Sequence, residues 1–299
     1  MIRVENLVKT YNGALAVNNL SFEVPEGENL VLLGTSGCGK TTTLRMINRL
    51  IDPDSGTVYI NGVDVREQKP EILRRGIGYV LQNHGLFPHY TVSENIAIVP
   101  RLLKWKDAAI LERQDVLFQK LGLQPELKHK YPAQLSGGQQ QRVGLARSLM
   151  VNPAILLMDE PFGALDNLTR IGIRKVFREL DELADKTIIM VTHDVQEAFE
   201  MGDRVCLIDK GQIVQIGKPE ELLFHPCNEF VENFLNEQRL QLELKALPLS
   251  ALFPGSEDGS KTSVWQRMEE LLQANLQSPE VNPLPIEQLM RAFQQYKNR

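Results

Sequence analysis

Cysteine is scarce. The 299 residues hold three, Cys38, Cys206 and Cys227. They form no C-x-x-C pair, and an odd count gives no disulfide framework, so a reducing cytosol is the natural setting. Long apolar runs are missing as well. Ala154 to Met158 is among the longest, strand-sized and far short of the roughly 18–20 residues of a membrane span. Any membrane role is therefore expected to come through a partner. The N-terminus enters an alternating pattern at once with Ile2 and Val4, so no basic-then-apolar signal segment is expected. There is no excess of positive charge: the formal net charge is −5, which argues against a dedicated nucleic-acid binder. What the chain does have is a hydrophobic fraction of 42%, enough for one large domain or a domain with an appendage.

The stretch that organises the rest is Gly34-Thr35-Ser36-Gly37-Cys38-Gly39-Lys40-Thr41, which reads G-x-x-x-x-G-K-T. Glycines let the backbone curl so that several N–H groups face one anion. Lys40 supplies a point charge for β- and γ-phosphates, and the Thr41 hydroxyl suits Mg²⁺. The apolar run Leu30 to Leu33 precedes the loop and reads as a buried strand. Thr42 to Leu50 follows, with Leu44, Ile47 and Leu50 at helical spacing. The loop thus lies between a strand and a helix N-terminus, where the helix dipole favours phosphate. Cys38, next to that N-terminus and to Lys40, is expected to have a lowered pKa and to react with maleimide, Mg-ATP protecting it.

Taken in order, residues 1–29 read as antiparallel strands, with Leu20, Phe22 and Val24 alternating and Pro25-Glu26-Gly27 as a turn. Tyr11 stands beside the turn dipeptide Asn12-Gly13; it is either an ordinary half-buried tyrosine or a platform for an adenine ring. Thr57 to Ile60 and Gly76 to Leu81 read as further strands, the second ending at Gln82. Between about 83 and 150 the pattern turns helical, with Ile110, Leu117 and Leu121 in phase and Gly122 as a stop. Near the end of that insertion, Ser136-Gly137-Gly138-Gln139 feeds an apolar helix. Ser136 is placed as an N-cap, and the turn is either a common helix start or a second anion-binding device.

Ala154 to Met158 then delivers Asp159 and Glu160 to the C-terminal end of a buried strand, where open α/β sheets form their sites. Asp159 suits a metal ion, held through water, and Glu160 a water molecule attacking a γ-phosphate; a solvated acidic turn is the plain alternative. Thr187 to Val191 ends at Thr192-His193-Asp194. His193 is either structural or a hydrogen-bond donor to the same phosphate.

The order of Tyr11, the phosphate loop, Gln82, Leu135 to Gln139, Asp159-Glu160, Ala164-Leu165-Asp166 and His193 resembles the nucleotide-binding subunit of ABC transporters, over roughly residues 1–235. The resemblance implies an α/β P-loop NTPase with an antiparallel β-subdomain, a mainly parallel core sheet and a helical insertion. It implies ATP and Mg²⁺ as cofactors. Tyr11 would stack on adenine, and residues 34–42, Gly34 to Thr42, would wrap the phosphates. Gln82 would sense Mg²⁺ and the attacking water, alongside Thr41 and Asp159 at the metal. Ser136, Gly137, Gly138 and Gln139 would reach the ATP of a second protomer, Asp166 would contact that protomer, and His193 would act as the switch histidine. Glu160, His193, Gln82 and Lys40 would carry catalysis. The implied assembly is a homodimer on the cytoplasmic side of the inner membrane, bound to integral-membrane permease subunits, served indirectly by an extracytoplasmic substrate-binding protein or domain, with no nucleic acid.

Three stretches, Cys38 to Arg49, Gly85 to Trp105 and Asp159 to Arg170, look more narrowly like the ATPases of osmoprotectant importers, for glycine betaine, choline, carnitine or proline betaine. An importer ATPase for an amino acid or polyamine is the alternative, and a non-transport ABC ATPase or a phosphate-loop kinase lies further off. Thr35 stands where those importer ATPases usually have Pro. Many of them continue into a pair of CBS modules; here about 60 residues follow the ATPase part, too few for such a pair by domain size. Residues 236–299 are expected to be a helical extension, within a helix reading of Asn228 to Leu244 and beyond it. A linker is expected near 254–261 and a Pro-rich break at Pro279, Pro283 and Pro285. Trp265, Met268, Leu272 and Leu276 fall on one helical face, and Ile286, Leu289, Met290 and Phe293 on another. Two such helices make little core alone and must pack on the ATPase domain, a second protomer's tail or a partner, as a docking or regulatory appendage would.

Overall fold

The computed structural model describes residues 1–83, 85–247, 249–253, 263–277 and 286–297. The chain divides into two compact units, Met1–Gly217 and Lys218–Arg299. In chain order the first contains β1 (Ile2–Tyr11), β2 (Ala14–Val24), β3 (Asn29–Leu33), α1 (Lys40–Ile47), β4 (Ser55–Ile60), β5 (Val63–Asp64), α2 (Pro70–Arg75) and β6 (Ile77–Val80). Three helices follow without an intervening strand, α3 (Val92–Leu102), α4 (Asp107–Lys120) and α5 (Gly137–Leu149). Then come β7 (Ile155–Asp159), α6 (Asn167–Arg178), β8 (Thr187–Thr192), α7 (Val195–Met201), β9 (Arg204–Asp209) and β10 (Gln212–Gly217).

The strands form two sheets. One is antiparallel, in the order β2-β1-β4-β5. The other runs β10-β9-β3-β8-β7-β6 and is parallel throughout except for the β9–β10 hairpin. Strands covered on both faces read as continuous apolar runs rather than alternations, and β3 and β7 follow that rule: Leu30–Leu33 and all of β7 are buried. The main core joins the two sheets. Leu7, Leu20 and Val24 pack in one cluster with Leu30, Leu32, Leu44, Ile189 and Ile208.

Register places the site. Leu33 pairs with Thr192 across β3 and β8, and Asp159 pairs with Val191 across β7 and β8. The residues that follow these pairs, Gly34, Glu160 and His193, therefore leave the sheet at one edge. The helical insertion is fixed to the rest of its unit by ion pairs. Arg113 and Lys120 of α4 both reach Glu182, at 2.7 and 2.8 Å. These bonds, Arg113 first, hold the Glu182 carboxyl down at about 2.

The second unit holds α8 (Pro219–Phe224), α9 (Glu229–Leu235), α10 (Arg239–Ala246), α11 (Leu249–Leu252), α12 (Val264–Gln277) and α13 (Ile286–Lys297). The sequence-based division at 235/236 falls inside it, between α9 and α10, because α8 packs on both of those helices. The single helix read over Asn228 to Leu244 is two. Asn236 and Gln238 donate to Asn233 and Leu235, closing α9 with tight turns, and α10 restarts at Arg239. The tail helices have a core of their own: Leu244, Leu247 and Leu249 pack with Val264, Leu289 and Phe293, flanked by Trp265 and Met268. The expectation that α12 and α13 need a separate surface to pack on is thereby answered within this unit. The expected linker near 254–261 and the Pro-rich break lie outside the described residues. No helix among the described residues is long and apolar enough to cross a membrane.

Candidate functional site

The phosphate loop links β3 to α1. Gly34 and Gly39 have φ of 154° and 104°, and a Cβ at either would run into a carbonyl oxygen, of Ile208 or Ala16 respectively. Only glycine fits both the conformation and the space. Helix geometry leaves the N–H groups of Lys40, Thr41 and Thr42 without acceptors inside α1, at the positive end of its dipole. Lys40 is buried, and its Nζ donates to the Gly34 and Thr35 carbonyls at 2.8 and 2.7 Å. The ammonium thus sits inside the curl of the loop.

Cys38 departs from the expectation. The residue is 4% exposed, and burial pushes the thiol pKa up, an effect that Lys40, 3.6 Å from the sulfur, only partly offsets. The loop turns this side chain into the core cluster, so a lowered pKa is not what the site produces.

Opposite the loop, the Thr41 hydroxyl donates to Asp159 Oδ1 at 2.7 Å. Asp159 is buried, and desolvation raises its pKa, against the pull of Thr41 and Arg45. A buried carboxylate beside a hydroxyl at the mouth of a phosphate loop is a hard-oxygen donor set of the kind Mg²⁺ takes. Among the described residues no group of three His, Cys, Asp or Glu could hold a metal by itself.

Glu160 follows immediately and is held from two sides. Gln82 Nε2 donates to its Oε2 at 3.0 Å, and His193 Nδ1 lies 3.2 Å from the same oxygen. Its own N–H donates to Val191 at 2.9 Å. Its φ is 44°, a left-handed conformation that costs a non-glycine residue of order 1–3 kcal/mol and persists where surroundings enforce it. The bond from Gln82, the bond to the Val191 carbonyl and the contact with His193 are those surroundings. The side chain keeps 18% exposure, enough for water to reach it.

The remaining sequence candidates lie at the periphery. Tyr11 ends β1 and is 46% exposed. Lys9 Nζ stands 5.8 Å from its ring and bonds Asp54, which also takes the Thr10 N–H at 2.7 Å. Ser136 caps α5 with Gln139 in a reciprocal box. Its neighbour Gly138 is backed by α6: a Cβ there would lie 2.6 Å from Thr169 Cγ2. Asp166 caps α6 through the Thr169 N–H. Among the described residues no hydrogen bond joins Ser136–Gln139 to the phosphate loop. Lys40, Thr41, Asp159, Glu160, Gln82 and His193 are gathered within one chain, while Tyr11 and the Ser136 turn are set apart from them. Sequence reasoning missed Lys9 and Asp54 behind Tyr11, and Arg147, whose Nη1 donates to the Gly85 carbonyl at 2.7 Å and pins the segment after Gln82. Asp54 stood in a turn-forming cluster, and only the fold brings it to Thr10.

A family model described as ABC transporter matches residues 17–163. The glycine betaine uptake system ATP-binding protein YehX of Escherichia coli K12 is 46% identical over 247 residues, covering 83% of this chain and 80% of that protein. This chain belongs to the ABC transporter ATP-binding family. The glycine betaine/carnitine/choline transport ATP-binding protein OpuCA of Bacillus subtilis is 48% identical to this ABC ATP-binding chain over 241 residues, 80% of it. The chain spans 63% of the length of that relative. Among solved structures, a dimeric ATP-binding cassette in a post-hydrolysis state with ADP and Pi is 34% identical. It superposes with a TM-score of 0.66 over 73% of this chain and 98% of its own.

Proposed function

We propose that this chain is the ATP-hydrolysing subunit of an ABC importer for quaternary ammonium osmoprotectants such as glycine betaine, choline or proline betaine. The observation that carries the reading is Glu160, strained at a strand end and held by Gln82 and His193 beside the phosphate loop. The cargo class rests on the likeness to the betaine and choline transport proteins. The likeness to a dimeric cassette supports a homodimer.

In this reading the loop N–H groups and Lys40 bind the β- and γ-phosphates, Lys40 exchanging its loop carbonyls for phosphate oxygens. Tyr11 stacks on adenine. Thr41 and Asp159, with Gln82, would hold Mg²⁺, which neutralises phosphate charge when bound. Glu160 orients the attacking water and accepts its proton. His193 holds the Glu160 carboxylate and donates to the γ-phosphate. Ser136 and the glycines after it close the site on the partner's ATP, with Asp166 against the partner. Catalysis is mostly positioning and charge stabilisation. The subunit is peripheral, on the cytoplasmic face of permease subunits that an extracytoplasmic binding protein supplies.

The test is uptake of labelled betaine and choline in a host lacking its own transporters, with and without this subunit and its permease. Uptake that needs the subunit and its Lys40 supports the reading. ATP hydrolysis without betaine or choline uptake keeps the ATPase and overturns the cargo.

A further inference from the structure

Between the two loops that frame Glu160 lies a set of charges the mechanism above does not use. Arg170, on the first turns of α6, donates from Nη2 to the Leu165 carbonyl at 2.9 Å. Leu165 immediately precedes Asp166. On its other side Arg170 faces α7: Nη1 is 3.7 Å from Asp194 Oδ2, and Nε is 3.9 Å from Glu197 Oε1. Glu197 is 3% exposed, and its other oxygen takes the Thr192 hydroxyl at 2.6 Å. That hydroxyl accepts from the Asp194 N–H at 3.0 Å. Thr192 and Asp194 flank His193, whose ring lies on Glu160. A continuous path of side chains therefore runs from the Leu165–Asp166 loop to His193.

The path has slack in it. The Arg170 Nε is buried and has no hydrogen-bond partner among the described residues, although a carboxylate stands just out of reach. One turn along, Arg174 repeats the arrangement: its Nη1 is buried without a hydrogen bond and lies 3.7 Å from Glu200 Oε2. A buried donor without an acceptor is costly, and a charge-assisted bond at ordinary length is strong. Each pair stands about an ångström beyond ordinary hydrogen-bond length.

We propose that Arg170 is a positioning residue that couples the Leu165–Asp166 loop to His193 through Glu197, a role that rests on the ATPase reading above. Displacement of the loop draws Arg170 onto Glu197. Glu197 holds Thr192, and the backbone between Thr192 and Asp194 then sets the His193 ring against Glu160.

The test is a double-mutant cycle on the full chain, read by single-turnover hydrolysis of Mg-ATP so that slow variants remain measurable. Arg170→Ala is expected to lower the rate about tenfold with the KM for ATP within about twofold, and in a His193→Ala background to cost less than about twofold more. Arg170→Lys, which keeps the charge but not the fork, is expected to recover part of the loss. An unchanged rate in Arg170→Ala, or the same fold loss in both backgrounds, overturns the coupling. If Arg170→Ala fails to fold, Glu197→Gln, which keeps an acceptor for Thr192, carries the same comparison. NMR of histidine-labelled chain supplies a readout that needs no turnover. The His193 imidazole signals, identified by their loss in His193→Ala, are expected to move in Arg170→Ala; signals that stay in place overturn the proposal. A wild-type chain that hydrolyses no ATP counts against the ATPase reading, whereas an active wild type with additive losses counts against the coupling alone.

Discussion

The Thr41 hydroxyl donates to the Asp159 carboxylate at 2.7 Å, tying the first turn of α1 to the C-terminal end of β7. The bond joins a residue of the phosphate loop to a buried carboxylate whose pKa burial has raised. Such a group binds its proton more tightly folded than unfolded. Its charge costs nothing below the ordinary carboxylate pKa near 4, and the cost grows as pH rises from there through the raised folded value. Asp159→Asn removes that charge and keeps an acceptor for Thr41. It is expected to raise the melting temperature of the nucleotide-free chain at pH 7, with the difference from wild type shrinking toward pH 4. It is expected at the same time to weaken Mg²⁺-dependent nucleotide binding about 10–100-fold. Calorimetric melting across pH and titration with and without Mg²⁺ check the two halves.

Tyr11 projects from the end of β1 with half of its surface open. Lys9 stands near its ring, and Asp54 fixes both Lys9 and the Thr10 backbone. Tyr11→Ala is expected to weaken ATP binding by on the order of 1 kcal/mol, and Tyr11→Trp to retain it. Equal affinities for wild type and Tyr11→Ala, measured by titration, would leave Tyr11 with a structural role only.

Thiol chemistry is expected to miss the ATP site. Cys38 and Cys206 are buried, and burial pushes Cys206 up to about 12. Cys227 is exposed. The first equivalent of maleimide should therefore enter at Cys227 and leave ATP hydrolysis unchanged, and Cys227→Ser should abolish the fast phase of labelling. Rapid inactivation of Cys227→Ser by maleimide would mean that the loop opens far enough to bare Cys38.

The second unit has a small core of its own, and Phe293 is among its most buried side chains, packed with Leu244, Leu247 and Val264. Phe293→Ala is expected to destabilise that unit by about 3–5 kcal/mol. Every residue proposed for the ATP site lies within Met1–Gly217, so hydrolysis by the subunit should stay within about threefold, roughly 0.65 kcal/mol in barrier terms. Fluorescence of Trp265 in a Trp105→Phe background reports the unit's unfolding, and phosphate release reports activity. A parallel fall in both would show that the helical unit supports the ATP site.

Much of this was legible in the chain because it is encoded locally. The phosphate loop is eight consecutive residues whose glycines and lysine mean one geometry. The buried runs of β3, β7 and β8 end in Gly34, Asp159-Glu160 and His193, so parallel pairing alone brings those ends together. Ser136 announces itself as a cap, whereas the cap that Asp166 makes on α6 comes from the fold. What stayed hidden depends on direction and distance in space. The sequence places Cys38 beside Lys40 but does not say that its thiol turns inward, where desolvation outweighs the lysine. Asp54 and Thr10, or Arg170 and Glu197, are joined only by the fold. The break between α9 and α10 carries neither glycine nor proline, and the core formed by α10, α12 and α13 could not be read from amphipathic faces that name no partner.

The central claim is that Glu160, held by Gln82 and His193, accepts the proton of the attacking water. Glu160→Gln keeps the shape and removes the basic oxygen. Release of phosphate from Mg-ATP, measured beside ATP binding by the same preparation, tests this most directly. The account expects binding to persist, turnover to be nearly abolished and an ATP-dependent dimer to accumulate on sedimentation. Hydrolysis by Glu160→Gln at the wild-type rate would contradict it.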